Sequence, residues 1–398
     1  MSAGKKFTAT TDVAGESDIL QRGGSNRGRR VCVVGGGIGG LTAALAFARS
    51  GAQVEVFEQA TALGRIGAGI QITPNGARAL EALGLRGALD ARGVQATAVQ
   101  PMDALTGRAV TRFDLGRLDG PPYRFFHRAD LIDLLAGACR GAGVQVHLGA
   151  KADTSRCDAD LVVGAEGIHS PTRAVLNGTD VPFFTGQVAW RTIVPANDVA
   201  PVAKIWMAPR RHVVTYPLRE GLLNVVAVEE RDGWAAEGWT HADDPANLRA
   251  AFADTCAPLR HILKQVEQTN LWGLFRHEVA AVWSRDQLAI LGDAAHPTLP
   301  FLAQGANLAI EDAFILARCC DAQRSIEVAL KTYEDARKSR VQRAIEAANA
   351  NARNYHLSGP ARRVAHIGLK TLGVIAPSVF LRRMDWLYGY DVTSDDAV

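Results

Sequence analysis

The feature that most constrains the fold is a glycine-rich turn near the start of the chain. Gly35, Gly37 and Gly40 have the spacing Gly-x-Gly-x-x-Gly. The apolar residues 31–34 precede the turn, and an alanine- and leucine-rich stretch, residues 41–49, follows it. Glycines at this spacing allow a tight turn and let a pyrophosphate approach the N-terminus of a helix. The pattern predicts a β-α-β unit that binds a dinucleotide.

An acidic residue stands where such a unit needs one. Residues 54–58 alternate in polarity, as a second strand does, and Glu58 ends this stretch roughly 20 residues after Gly40. A carboxylate at that place accepts hydrogen bonds from the ribose hydroxyls of an adenosine. We therefore predict that Glu58 contacts the adenosine end of the ligand.

Composition excludes several other classes of protein. The net charge is only +3, and the first 30 residues carry this excess, so no basic face for a nucleic acid is expected. No apolar run approaches the 18 or so residues that cross a membrane. The six cysteines show neither a Cys-x-x-Cys pair nor metal-ligand spacing, which predicts scattered thiols, a cytoplasmic protein and no metal site.

Two further motifs decide which dinucleotide is expected. They are residues 160–173, DLVVGAEGIHSPTR, and residues 291–313, which begin LGDAAHP. Together with the glycine-rich turn they stand in the order of the single-component flavoprotein aromatic hydroxylases, the family of p-hydroxybenzoate and salicylate hydroxylase. The chain resembles this family from about residue 31 to residue 391. The resemblance implies non-covalently bound FAD, with NADH or NADPH and O2 as co-substrates.

The resemblance also implies roles for individual residues. Asp293 stands where the family hydrogen-bonds the flavin ribitol, and Gly305 and Ala306 open a helix whose N–H groups face the pyrimidine edge of the flavin. A helix N-terminus there stabilises the negative charge that the flavin gains on reduction. Arg128 resembles the family arginine near the cofactor pyrophosphate, and Arg65 is a further candidate for contact with the cofactor.

Two positions depart from the family pattern. Glu166 replaces the usual aspartate of a motif associated with flavin and pyridine nucleotide, so altered handling of the nicotinamide is expected. Ala303 stands where many relatives have glycine, so a different mobility of the flavin is expected. His296 also belongs to a family motif, and we interpret it as a structural histidine.

The fold class that follows is α/β, a Rossmann-like FAD-binding domain with an inserted antiparallel-sheet substrate domain and C-terminal helices. Short strand-like segments separated by turn residues predict the inserted sheet. We place the boundaries as follows: a disordered extension at 1–29, a discontinuous FAD-binding domain at 30–182 and 280–340, a β-rich substrate domain at 183–279, and a helical segment at 341–398.

The inserted sheet supplies candidate catalytic residues. His212 and Tyr216 share one face of a predicted strand and stand about 13 Å apart at roughly 3.3 Å per residue. This pattern resembles the pocket of 6-hydroxynicotinate 3-monooxygenase. We predict that Tyr216 holds the substrate hydroxyl and favours its ionised form, that His212 binds the far end of the substrate, and that Gln71 lines the site where such relatives carry a histidine. A packing role remains the alternative for Tyr216.

Arg191, at the start of the inserted sheet, is a candidate partner for a substrate carboxylate, and a structural role is an equal alternative. The resemblance implies a monooxygenase that hydroxylates a phenolic or heteroaromatic carboxylic acid through a flavin C4a-hydroperoxide. A salicylate-like substrate is favoured, with loss of CO2 if the hydroxyl enters at the carbon bearing the carboxylate. A 6-hydroxynicotinate-type or 3-hydroxybenzoate-type hydroxylase and a non-catalytic flavin-binding redox sensor are the alternatives. We expect a monomer or homodimer with no nucleic-acid or membrane partner.

Overall fold

The computed structural model describes residues 24–64, 68–152, 157–179, 181–233, 241–375 and 382–397. The predicted α/β fold, with a Rossmann-like unit, an inserted sheet and C-terminal helices, is confirmed. Arg65 lies outside the described residues, so its predicted contact with a cofactor stays a prediction. Within the described part of the chain, no helix has the length and apolar character needed to cross a membrane.

A six-stranded sheet carries the glycine-rich turn, with the strand order β16-β17-β9-β1-β2-β8. All pairs are parallel except β16 with β17. The apolar run that precedes the turn is the central strand, because a parallel strand flanked on both sides must be apolar on both faces. The strands are β1 (Arg30–Val34), β2 (Gln53–Glu58), β8 (Gln145–Leu148), β9 (Leu161–Gly164), β16 (Ser284–Arg285) and β17 (Leu288–Ile290).

An eight-stranded sheet forms the second layer, with the order β14-β15-β10-β13-β12-β11-β5-β6. Its pairs are antiparallel except β5 with β11. The sheet is not confined to the predicted insertion at 183–279, because β5 and β6 come from residues 98–114. The strands are β5 (Ala98–Asp103), β6 (Phe113–Asp114), β10 (Phe183–Pro195), β11 (Val202–Ala208), β12 (Arg211–Leu218), β13 (Leu222–Glu230), β14 (Ala242–Asp243) and β15 (Thr269–Arg276).

A small three-stranded sheet has the order β3-β7-β4. Its strands are β3 (Gly69–Ile72), β4 (Val94–Gln95) and β7 (Arg124–His127). The helices are α1 (Ile38–Arg49), α2 (Pro74–Ala82), α3 (Arg86–Arg92), α4 (Arg128–Gly141), α5 (Pro171–Asn177), α6 (Pro245–Ala251), α7 (Ala257–Lys264), α8 (Gly305–Ala322), α9 (Ile326–Tyr355), α10 (Gly359–Ile375) and α11 (Asp385–Tyr388). Short 3-10 turns occur at Leu115–Arg117, Gly292–Ala294, Pro300–Leu302 and Asp395–Ala397.

The two faces of the eight-stranded sheet pack against different partners. On one face, Trp190 and Val213 form an apolar core with Leu259 and Leu263 of α7. On the other face, Tyr216 packs on Phe125 of the small sheet. The second face is therefore the one turned towards the dinucleotide-binding part of the molecule. The placement of the predicted domain boundaries at residues 182, 279 and 340 stays a prediction.

The prediction of a disordered extension at 1–29 is wrong for its last six residues. The Asn26 side chain is fully buried, and its amide donates to the hydroxyl of Ser50 and to the carbonyl of Ala317, both at 2.9 Å. The Arg29 guanidinium donates to the carbonyl of Cys320 at 2.8 Å. These partners lie on distant segments, which is why the composition of residues 24–29 did not reveal the contacts. The prediction for residues 1–23 lies outside the described residues.

We expect Asn26→Ala to lower the free energy of unfolding by about 1–3 kcal/mol, because a buried hydroxyl and a buried carbonyl each lose a hydrogen bond. Urea unfolding of the purified protein measures this. Arg27→Ala, which changes an exposed neighbour, is the matched control and should leave the midpoint of unfolding unchanged. Equal stability of the two variants would show that the hydrogen bonds of Asn26 do not stabilise the folded body.

Candidate active site

The fold of the glycine-rich turn requires glycine at positions 35 and 40 but leaves room for a side chain at position 37. Gly35 has a φ of +107°, and a Cβ built there would lie 2.3 Å from the carbonyl oxygen of Ala165. A Cβ on Gly40 would lie 1.9 Å from the carbonyl oxygen of Gly35. A Cβ on Gly37 would meet nothing within 4 Å. Gly37 therefore borders open space, which is where a close-packed pyrophosphate fits.

The helix that follows the turn is prepared for an anion. Gly37 is the N-cap of α1, no side chain caps the helix, and its first turn has no acidic residue. The free N–H groups and the positive end of the helix dipole favour a phosphate at this place. The residues present thus fit the pyrophosphate of a dinucleotide.

Glu58 ends β2 beside this turn, as predicted. One carboxylate oxygen accepts a hydrogen bond from the Gly36 N–H at 2.6 Å, and the other accepts from the Ala60 N–H at 2.8 Å. A carboxylate has about four lone-pair sites, so each oxygen keeps capacity for one more donor. The two backbone bonds hold the carboxylate next to the glycine-rich turn, where ribose hydroxyls are expected.

Asp293 lies in a recess. It follows β17 in the turn at Gly292–Ala294 and is exposed to solvent. Burial by the surrounding protein nevertheless raises the pKa of its carboxyl group, against the opposing effect of His296, Arg128 and His277. A side chain that solvent reaches and that protein surrounds lies in an open cleft. A Cβ on Gly305 would lie 4.0 Å from the Asp293 carboxylate, so the start of α8 faces the same recess.

Arg128 opens α4 directly after β7 and is half-buried. Its positive charge affects the pKa values of both Asp293 and Arg191, which places it between the recess and the eight-stranded sheet. Among the described residues, its buried Nε has no hydrogen-bond acceptor. A guanidinium with an unfilled donor beside a dinucleotide site suits a phosphate or a flavin oxygen.

A buried ion-pair network holds the start of α8 in place. Asp312 accepts hydrogen bonds from the Gly292 N–H at 3.1 Å and from Arg337 Nε at 2.8 Å, and it bonds to His296. Burial alone would raise the pKa of Asp312, but His296 and Arg337 lower it to about 2. Glu311 pairs with Arg337 at 2.6 Å. His296 is thus structural, as interpreted from the sequence.

Ala303 and Glu166, the two departures from the family pattern, both have a definite structural setting. Ala303 adopts a left-handed conformation with a φ of +54°, in the turn just before α8. This region costs an L-residue about 1–2 kcal/mol relative to glycine. Glu166 accepts hydrogen bonds from the hydroxyls of Ser170 and Thr172, at the N-terminus of α5.

Tyr216 and Gln71 come together. Tyr123 donates its hydroxyl to Gln71 Oε1 at 2.5 Å, and the amide of Gln71 hydrogen-bonds the Tyr216 hydroxyl. Because Oε1 accepts from Tyr123, the Nε2 group of Gln71 is the donor to Tyr216. The phenol hydrogen of Tyr216 is then left to donate elsewhere. Burial raises the pKa of Tyr216 despite the charge of Arg191, so this phenol stays protonated.

Gly69 lets the small sheet approach the eight-stranded sheet closely at this point. A Cβ on Gly69 would lie 2.7 Å from the Tyr216 ring and 2.8 Å from the Asn224 side chain. The Gly69 N–H donates to Asn224 Oδ1 at 2.6 Å, and its carbonyl accepts from Arg191 at 3.3 Å. Burial lowers the pKa of Arg191, and its Nε has no acceptor among the described residues.

His212 lies elsewhere on the same face of β12. Its imidazole is 2.7 Å from His356 Nε2, and His356 Nδ1 is 2.6 Å from Glu230. It also packs near the ring of Phe301, with centroids 5.7 Å apart. Burial and the neighbouring His356 lower the pKa of His212 well below its usual value, so the imidazole is neutral. The described contacts join Tyr216 to Gln71 but join His212 to neither.

Sequence reasoning missed several residues of the site. Tyr123, Asn224 and His356 carry no motif. Tyr123 and His356 contact predicted residues from distant segments, and Asn224 accepts a hydrogen bond from Gly69. Arg337 also lacks a local signal, although its partners Glu311 and Asp312 lie within a recognised motif. Two acidic residues in an otherwise apolar helix were the available hint, because buried charges require a partner.

Comparison with known proteins shows the family to which the chain is similar. A family model described as FAD binding domain matches residues 29–348. The chain is 36% identical to a 3-amino-4-hydroxybenzoate 2-monooxygenase of Streptomyces platensis, over 92% of this chain and 97% of the relative. It is 32% identical to the 3-hydroxybenzoate 6-hydroxylase of Polaromonas naphthalenivorans, over 91% and 96%. A variant of HpxO of Klebsiella pneumoniae, solved with FAD, superimposes with a TM-score of 0.77 at 25% identity, over 90% and 98%.

The open space at Gly37 gives a test of the cofactor site. Gly37→Ala should weaken FAD binding at least tenfold, about 1.4 kcal/mol, because the new methyl group occupies space left for the pyrophosphate. The stability of the FAD-free protein should be unchanged, since the methyl group meets no protein atom. Titration of FAD followed by fluorescence and by thermal unfolding measures both. Gly137→Ala, on the exposed side of α4, also meets no atom and is the matched control. Unchanged affinity in Gly37→Ala would place the pyrophosphate elsewhere.

Proposed function

The chain belongs to the family of FAD-binding aromatic hydroxylases, and we propose that it hydroxylates a benzoate with an electron-donating group at ring carbon 3. FAD, when bound, supplies the oxidising chemistry, with NADH or NADPH as the proposed electron donor and O2 as the oxygen source. The residues of this chain bind and orient the substrate, exclude water and handle its protons. The observation that carries the proposal is the half-buried guanidinium of Arg191, whose buried Nε has no acceptor among the described residues, near the protonated phenol of Tyr216.

The two relatives named above support a particular site of attack. Their names place the reaction at ring position 2 of an aminohydroxybenzoate and at position 6 of 3-hydroxybenzoate. Both positions flank the carbon that bears the carboxylate, and both are ortho or para to the donor at carbon 3. Hydroxylation there leaves the carboxylate in place. We therefore propose a reaction that retains the carboxylate, in preference to the salicylate-like reaction with loss of CO2.

Arg191 is the proposed partner of the substrate carboxylate. Its guanidinium has one bond to the Gly69 carbonyl, lies 5.7 Å from the centre of the Trp272 ring and keeps an unfilled Nε donor. A buried cation without an anion is unstable, and an incoming carboxylate removes this cost through a charge-assisted hydrogen bond. This pairing favours anionic aromatic substrates over neutral ones.

Tyr216 is the proposed donor to the substrate hydroxyl, with Gln71 as a positioning residue. Gln71 fills one lone pair of the Tyr216 oxygen and thereby directs the phenol hydrogen away from itself. A donated hydrogen bond stabilises the ionised form of a substrate hydroxyl more than its neutral form, and the ionised ring is the better nucleophile. The raised pKa of Tyr216 keeps this donor protonated across the working pH range.

His212 is the proposed contact for the far end of the substrate, because it stands about 13 Å from Tyr216 along the strand. Its imidazole lies 2.7 Å from His356, and His356 lies 2.6 Å from the half-buried carboxylate of Glu230, so these two residues fix the orientation of the His212 ring. The Glu230 carboxylate lies 3.4 Å from the exposed Arg210, which anchors this group of side chains at the surface.

Water is kept from this region by an apolar wall. Leu299 and Phe301, in the turn between Asp293 and α8, pack with Val226 and Trp272 of the eight-stranded sheet. A dry site strengthens the hydrogen bonds inside it and prevents the loss of reactive intermediates to water. The segment that runs from Asp293 to α8 thus also forms part of the wall of the proposed substrate site.

A panel of aromatic acids tests the proposed substrate class. We expect 3-hydroxybenzoate or 3-amino-4-hydroxybenzoate to give a product heavier by one oxygen atom with no release of CO2. Product mass and NAD(P)H consumption are measured together. 3-Hydroxybenzamide, which lacks the negative charge, is the matched control and should raise KM at least tenfold because Arg191 loses its ionic partner. Efficient release of CO2 from salicylate would contradict the retained carboxylate, and peroxide without any product across the panel would contradict the substrate class.

A conservative change tests the role of Tyr216. Tyr216→Phe keeps the ring volume but removes the donor, so hydroxylation should fall by about 10²-fold or more while FAD binding stays normal. The product formed per NAD(P)H consumed should also fall, with more hydrogen peroxide. Tyr123→Phe retains the Tyr216 hydroxyl and loosens only its orientation by Gln71, so its effect should be smaller. Wild-type rate and coupling in Tyr216→Phe would leave the tyrosine as a packing residue.

A further inference from the structure

Two cysteines far apart in sequence bring their sulfur atoms into contact. Cys32 lies in the middle of β1, three residues before Gly35, and Cys157 lies just before β9. Their Sγ atoms are 3.1 Å apart, across a sequence separation of 125 residues. The prediction of scattered thiols is therefore wrong for this pair.

The sheet topology explains the contact. β1 pairs with β9, with Cys32 opposite Val162, so the segment leading into β9 passes beside β1. Cys32, Val34 and Val162 form a small apolar cluster, and Cys157 packs against it. The ladder between β1 and β9 holds Cys32, and just before β9 the Asp160 N–H donates to the Arg30 carbonyl at 2.9 Å, which keeps the segment that carries Cys157 beside β1.

We propose that Cys32 and Cys157 are a redox-active pair that forms a reversible disulfide when the protein meets a peroxide. Hydrogen peroxide is the chemical class of oxidant that a monooxygenase releases when O2 consumption is not coupled to hydroxylation. Uncoupled turnover would thereby produce a disulfide on β1, the strand that leads into the glycine-rich turn.

The two thiols have different surroundings, which assigns their roles. Cys32 is buried and its S–H donates to the Cys157 sulfur. Burial, together with Cys157 and the negative charges of Glu55 and Glu166, raises the pKa of Cys32. Cys157 is half-buried and lines a cavity of about 730 Å³ together with Lys151, so a small oxidant can reach its sulfur. Cys157 is thus the residue that meets peroxide, and Cys32 is the resolving thiol.

The reaction balances with one peroxide per pair. The Cys157 thiol loses its proton, its sulfur attacks one oxygen of hydrogen peroxide, and the O–O bond breaks. A sulfenic acid and hydroxide result, and the hydroxide takes up the proton to form water. The Cys32 sulfur then attacks the Cys157 sulfur, the S–O bond breaks, and a second water leaves with the thiol proton. Two thiols lose two electrons in total, and the peroxide gains them.

Peptide mapping of the FAD-loaded protein tests the proposal. After a limited dose of hydrogen peroxide and alkylation of the remaining thiols, we expect a linked pair of peptides containing Cys32 and Cys157, two hydrogen atoms lighter than the reduced peptides. Dithiothreitol should restore alkylation of both. In Cys32→Ala, Cys157 should instead be trapped by dimedone as the sulfenic acid.

Cys256→Ser is the matched control. Cys256 is the N-cap of α7, a position that serine favours, so this variant should fold normally and still form the disulfide. The absorbance of bound FAD confirms that every variant is folded. The proposal is overturned if Cys157 of the wild type is oxidised while Cys32 remains open to alkylation. It is equally overturned if Cys157 loses its reactivity no faster than the buried Cys256.

Discussion

The buried pairing of Arg337 with Glu311 and Asp312 is the interaction on which the rest of the site depends. All three side chains have no exposed surface, so each charge is stable only while its partners are present. Removing one partner from such a group costs about 3–5 kcal/mol, because an uncompensated charge remains inside the protein. Arg337 lies on α9, and Glu311 and Asp312 lie on α8, so the ion pairs join the two helices. The hydrogen bond from the Gly292 N–H to Asp312 joins α8 to the turn that carries Asp293.

Polar side chains extend this attachment to the other side of the site. Asn75, at the start of α2, donates to Glu311 at 2.6 Å, and Asn307 of α8 bonds to the backbone of β3. Since β3 carries Gln71, the residues proposed to face the cofactor and those proposed to face the substrate are joined through α8. The close approach at Gly69 then brings the eight-stranded sheet, with Tyr216 and Arg191, against β3. Small displacements of α8 therefore affect both halves of the site together.

The sequence predicted those parts of the site that depend on local geometry. The turn at Gly35–Gly40 is required by contacts within the turn and with the neighbouring strand, and the position of Glu58 follows from the length of one β-α-β unit. The alternation of β12 placed His212 and Tyr216 on one face of the sheet, because side chains of a strand repeat with a period of two. The same reasoning could not tell that His212 pairs with His356, which comes from the end of a helix more than a hundred residues away.

By itself the sequence determined the α/β class, the dinucleotide site and the family, since strand, turn and helix signals are read over a few residues. Only the tertiary structure decided that residues 24–29 belong to the folded body, that Gln71 lies beside the Tyr216 hydroxyl, and that Cys32 touches Cys157. Each of these contacts joins segments that are adjacent in space but far apart along the chain. The composition of these segments does not indicate which residue each one contacts. A hydrogen bond or a sulfur contact depends on the relative placement of whole sheets and helices, which local sequence patterns do not encode.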